Sequence, residues 1–100
     1  MAAYIFASVE ISDPPAYEEY RTRVPAIIAA YGGRYLARGG PVERLEGTSP
    51  ANRIVILEFP DMARLKAFYN SVEYQPLLAI RQRAARSTLL AIEGVGAPRP

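Results

Sequence analysis

One hundred residues suffice for one domain with one hydrophobic core. Half of them are hydrophobic and 22% are charged, a balance that excludes a disordered chain, and no apolar run approaches the length needed to span a bilayer. Cysteine and histidine are both absent, which removes disulfides, thiolate chemistry, the commonest general base and the commonest transition-metal ligand. No metal and no cofactor are expected. Nothing at the start of the sequence has the pattern of a secretory signal, so a cytoplasmic location and no membrane partner are the expectation.

Tyr4 to Ile11 alternates with period two, placing Ile5, Ala7, Val9 and Ile11 on one side and Tyr4, Phe6, Ser8 and Glu10 on the other. Asp13-Pro14-Pro15 then opens a helix, with Asp13 as cap and proline tolerated in the first turn. Its apolar stripe is Tyr17, Tyr20, Val24, Ile27, Ile28 and Tyr31. Pro25 interrupts the stripe, so one bent helix or two short pieces are expected. Gly32-Gly33 ends it.

Arg34 to Arg38 reads as a second strand, with Tyr35 and Ala37 opposite Arg34, Leu36 and Arg38. Gly39-Gly40-Pro41 marks a bulge, beyond which Val42 to Gly47 is expected to continue the strand. Thr48 to Asn52 is a turn signal. Arg53 to Phe59 is the third strand, with Val55, Leu57 and Phe59 as its apolar side. Pro60-Asp61 opens a helix carrying Met62, Leu65, Phe68 and Tyr69. A further helix with Pro76 in its first turns carries Tyr74, Leu77, Leu78 and Ala85. Ser87 to Glu93 is the last strand. The expected domain spans residues 1–94, and 95–100 form a flexible tail.

Strand, helix, two strands, helix and strand form the split βαβ pattern: an α+β, ferredoxin-like fold with a four-stranded antiparallel sheet and its helices on one face. The other face then carries Tyr4, Phe6, Ser8, Glu10, Leu36, Arg38, Ile56, Glu58, Ser87 and Leu89. Left in water these residues form an apolar patch of a few hundred Å², large for a monomer. An isologous contact with a second copy removes it. Tyr4, Phe6, Leu36, Ile56 and Leu89 are therefore the expected homodimer interface, with a small-molecule pocket on that sheet face.

Four segments carry a resemblance over most of the chain: YGGRYLARGG (Tyr31–Gly40), LEG (Leu45–Gly47), RIVILEFP (Arg53–Pro60) and SVEYQPLLAIRQRAARS (Ser71–Ser87). Together they resemble domain-of-unknown-function family 1330, within the dimeric α/β-barrel proteins. The resemblance implies the fold and a homodimer, and it implies no reaction. Proteins sharing the barrel include cofactor-independent monooxygenases. The sequence departs from many relatives in having no tryptophan near Phe68 and Tyr69.

Arg38 and Glu58 are the leading candidate pair. Arg38 offers a bidentate clamp for a carboxylate, and Glu58 a base or orienting acceptor. A structural ion pair between neighbouring strands is the plainer account. Tyr20, Tyr74, Arg81 and Ser87 complete the candidate ligand site, although Ser87 has no histidine to activate it as a nucleophile. Arg81, Arg83 and Arg86 are expected late in one helix, where cations suit the dipole, so no nucleic-acid partner is expected. Two readings follow: a homodimer that binds a small organic molecule, or a non-catalytic dimerisation module whose sheet charges serve only pairing and register.

Overall fold

In the computed structural model, which describes residues 1–48 and 52–96, the alternating segment is strand β1 (Ala3–Ile11), with Ala3, Ile5, Ala7 and Val9 buried. Helix α1 (Pro14–Ala30) follows, and the Asp13 carboxylate accepts the Ala16 N–H at 3.3 Å. The helix runs through Pro25 as one element, burying Tyr17, Val24 and Ile28. Strands β2 (Arg34–Arg38) and β3 (Arg53–Phe59) come next. Helix α2 (Met62–Tyr69) starts at Asp61, whose carboxylate accepts the Arg64 N–H at 2.8 Å. Helix α3 (Gln75–Ala84) leads with no intervening loop into strand β4 (Ala85–Glu93).

The sheet order is β2-β3-β1-β4, antiparallel throughout. This is the ferredoxin-like arrangement, with the helices against one sheet face. Gly33 sets the spacing between α1 and the sheet. A Cβ there would lie 2.6 Å from a ring carbon of Phe59 and 2.8 Å from Ile28, so only glycine permits the approach.

The core is an aromatic stack. Phe59, Phe68, Tyr74 and Leu77 are its largest fully buried side chains, each worth roughly 1.5–3 kcal/mol of burial free energy. Phe68 sits centrally, its ring centroid 5.3 Å from that of Phe59 and 4.5 Å from that of Tyr74.

Register corrects several sequence expectations. In β4, Ser87 pairs with Val9 and Leu89 with Ala7, so both lie on the helix-covered side. Leu89 packs against the core and is not part of the open face. Leu90 and Ile92 take that place, 59% and 62% exposed. A strand's own alternation separates its two sides without saying which meets its neighbour's apolar side; only register does. Ala85 and Arg86 belong to β4 rather than to α3, so Arg81, Arg83 and Arg86 do not share one helix. Val42 to Gly47 is irregular rather than strand, because Gly39, at φ +70°, turns the chain off the sheet edge. The turn expected over 48–52 falls largely on 49–51, outside the described residues. The expected tail likewise falls mostly outside them, on 97–100.

Candidate functional site

The site begins with an irregularity in β2. Tyr35 pairs with Leu57, but Ala37, not Leu36, pairs with Ile56. The extra residue is a β-bulge, and it inverts the side taken by everything after it. Arg38 therefore pairs with Val55 and joins Tyr35 on the helix-covered side. The Arg38 guanidinium lies 4.5 Å from the Tyr35 ring centroid, a cation–π distance.

Arg38 and Glu58 consequently do not meet. Glu58 stays on the open face, where Arg34 donates its Nε–H to the carboxylate at 2.7 Å. That bond, helped by the Tyr4 hydroxyl, holds the Glu58 carboxyl below the usual carboxylate range. The expected Arg38–Glu58 pair is replaced by Arg34–Glu58, which ties β2 to β3 within one chain.

Arg38 has a different partner, supplied by Pro25. Having no N–H, the proline cannot bond the carbonyl four residues earlier, that of Arg21. Arg38 donates an Nη2 hydrogen to that carbonyl at 2.6 Å. An arginine from the sheet thus fills the helix's missing donor. Arg38→Ala is expected to cost about 0.5–1.5 kcal/mol in wild type. In a Pro25→Ala background the backbone supplies the donor, and the same substitution is expected to cost measurably less. A denaturation double-mutant cycle checks this; equal costs in the two backgrounds would contradict it.

Beneath α1 and α3 the helix-covered face leaves a cavity of about 40 Å³. Four tyrosines, Tyr17, Tyr20, Tyr35 and Tyr74, contribute to its lining. So do four arginines, Arg21, Arg38, Arg53 and Arg81, and among the described residues no carboxylate does. Apolar side chains such as Val24, Leu57 and Leu89 complete the walls.

Three of these arginines, Arg38, Arg53 and Arg81, each lie near a tyrosine ring. The Arg53 guanidinium lies 5.8 Å from the Tyr17 ring centroid, and that of Arg81 lies 5.9 Å from Tyr20. Arg53 lies across Gly39, where a Cβ would come within 2.2 Å of its Nη1. The glycine therefore serves both its positive φ and the seating of the guanidinium. Arg81 is only 6% exposed. The Nε atoms of Arg53 and Arg81 are both buried without a hydrogen-bond partner.

The Tyr20 and Tyr74 hydroxyls are 2.7 Å apart. Burial, reinforced by Tyr74, pushes the Tyr20 pKa far above the ordinary phenol value. Tyr20 is therefore a neutral donor or acceptor, not a base. Two phenols share one hydrogen bond, which leaves one proton of the pair to donate elsewhere. At the rim, Glu18 accepts from the Arg21 Nε–H at 2.8 Å on the exposed side of α1. Arg21, with weaker help from Arg38 and Arg53, holds the Glu18 carboxyl below its usual range.

Of the residues expected from sequence, Tyr20, Arg38, Tyr74 and Arg81 converge on this cavity. Glu58 does not, being on the open face. Ser87 lies on the helix-covered side but outside the lining, its Oγ buried and unpartnered. Arg53 was not expected, although it shares the parity of Val55, Leu57 and Phe59 and so had to face the helices. A larger groove of about 290 Å³ runs between α2 and the edge strand β4, lined by Leu65, Lys66, Tyr69 and Leu90 among others. Its charged lining is Lys66, without the convergent polar groups of the first cavity.

The fold is that of dimeric ferredoxin-like proteins. A protein of unknown function from Rhodopseudomonas palustris superposes with a TM-score of 0.77 at 18% identity, over 96% of this chain and 84% of its own. A dimeric ferredoxin-like protein of unknown function from Jannaschia sp. CCS1 gives 0.65 at 18%, over 94% of this chain and 100% of its own. SnoaB, a cofactor-independent oxygenase from Streptomyces nogalater, gives 0.66 at 11%, over 96% and 95%. No curated protein matches the sequence. Residues 2–95 match the family described as Domain of unknown function (DUF1330), and the chain belongs to that family. Among the described residues no helix is long and apolar enough to cross a membrane.

Proposed function

We propose that this protein binds a small organic molecule in the cavity beneath α1 and α3, and that it works as a homodimer joined through its open sheet faces. The observation that carries the first part is the convergence of Arg38, Arg53, Arg81, Tyr20 and Tyr74 on one apolar-walled space. Buried Nε–H groups without an acceptor, as on Arg53 and Arg81, are costly to the fold, and sites that bind ligands retain such groups. On this reading the pocket lies behind the sheet, whereas the alternation of the strands leads to an expectation of a pocket on the open face.

The homodimer is supported by the open face itself. Phe6, Leu36, Leu90 and Ile92 are 38%, 49%, 59% and 62% exposed there, with Tyr4 and Ile56 between them. The dimeric relative from Jannaschia has the same fold. The second reading, a dimerisation module, draws on the Arg34–Glu58 pair, whose charges already satisfy each other within one protomer. Those charges serve strand pairing under either reading.

The test is an NMR titration of ring-labelled tyrosine against a panel of small acids, amides and alcohols. Binding in the cavity is expected to move the Tyr20 and Tyr74 signals together and leave Tyr4 still. A panel in which no molecule moves them, or in which only Tyr4 responds, overturns the assignment of the pocket.

A further inference from the structure

We propose that the ligand enters this cavity as a carboxylate, with Arg81 as its deep contact and Arg53 as the second cation. The inference rests on the reading of the cavity as a ligand site and adds the ligand's chemical class.

Charge comes first. Of the four guanidinium groups lining this space that of Arg21 is paired with Glu18, and the other three, with no carboxylate beside them in the lining among the described residues, repel a cation and favour an anion. Glu18 does not supply the missing anion. It sits on the exposed side of α1 and is committed to Arg21 through two hydrogen bonds.

Donor count comes second. The Nε–H groups of Arg53 and Arg81 are buried and unpartnered, and Arg81 is more than nine-tenths buried. Each lacks an acceptor, and a carboxylate presents two acceptor oxygens with about four lone-pair sites. The Tyr20–Tyr74 pair adds one further phenolic proton. Every polar group aimed at this space is a donor or can act as one.

Size comes third. About 40 Å³ exceeds the ~10–15 Å³ that one water requires and falls well below the ~300 Å³ of a drug-sized site. The buried portion of the guest is therefore a few atoms. A carboxylate head, smaller than a tetrahedral phosphate, suits that volume, and its two oxygens match the guanidinium fork. The remainder of the molecule leaves past Arg38, the exposed arginine of the lining.

The test compares propionate, its neutral isostere propionamide, and inorganic phosphate at constant ionic strength, read by the Tyr20 and Tyr74 NMR signals. Propionate is expected to bind at least tenfold more tightly than propionamide. Arg81→Met and, independently, Arg53→Met are each expected to weaken propionate at least tenfold while propionamide is unaffected. Equal affinity for acid and amide overturns the proposal, as does undiminished propionate binding in both variants or preferential binding of phosphate. Should neutral molecules move the tyrosine signals while propionate does not, the carboxylate fails and the pocket stands. Should none move them, both fall.

Discussion

Arg81→Met is expected to leave the folded state as stable as wild type or to stabilise it by about 1–4 kcal/mol. The side chain is almost wholly buried, and its Nε has no partner. Desolvating a guanidinium costs several kcal/mol, and a cation–π contact with Tyr20 at 5.9 Å recovers ~0.5–2 kcal/mol of that. Methionine keeps most of the length and flexibility without the charge. Removing the guanidinium takes its hydrogen bond away from the Tyr74 hydroxyl, which stays bonded to that of Tyr20. For a domain of this size, 1 kcal/mol shifts the melting temperature by roughly 4–8 °C. A calorimetric melt in which Arg81→Met unfolds more than about 8 °C below wild type would show that Arg81 is a structural strut. An unchanged or raised melting temperature marks a residue kept at the expense of stability, which is the behaviour of a binding group.

Phe68→Ala is expected to cost about 3–5 kcal/mol. Phe68 is 2% exposed, and its ring contacts those of Tyr31, Phe59 and Tyr74. It joins α2 to the sheet and to the residue before α3, so its loss opens a ring-sized hole beside the cavity already present. Neighbours on three elements cannot collapse into that space together. A melting temperature lowered by less than about 4 °C would mean that the stack relaxes freely and is not the core described here.

The fold was legible because most of its elements carry their own punctuation. Asp13-Pro14-Pro15 and Asp61 cap helices as read, and the parity of β1 and β3 identifies the side that meets them. Pro25 was legible as a defect but not as a bond. Which side chain completes Arg21's carbonyl depends on a strand distant in sequence.

The site was legible in part, and its errors share one cause. Alternation gives relative facing along an unbroken strand, so a single extra residue at Leu36 was enough to move Arg38 from the open face to the cavity. In β4 the missing datum was pairing with β1, without which Ser87 and Leu89 fell on the wrong side. Tyr20 was legible on the stripe of α1, and Arg81, seven residues after Tyr74, on that of α3, because helical spacing turns each stripe toward the sheet. Arg53 was within reach of the same reasoning.

Under the proposed function a guest sits behind the sheet, against buried guanidinium groups. A crystal structure of the protein grown with propionate tests that most directly. It is predicted to show the acid's oxygens against Arg81 in the cavity beneath α1 and α3. An acid bound on the open face with that cavity dry, or Arg81 swung out to solvent, would contradict it.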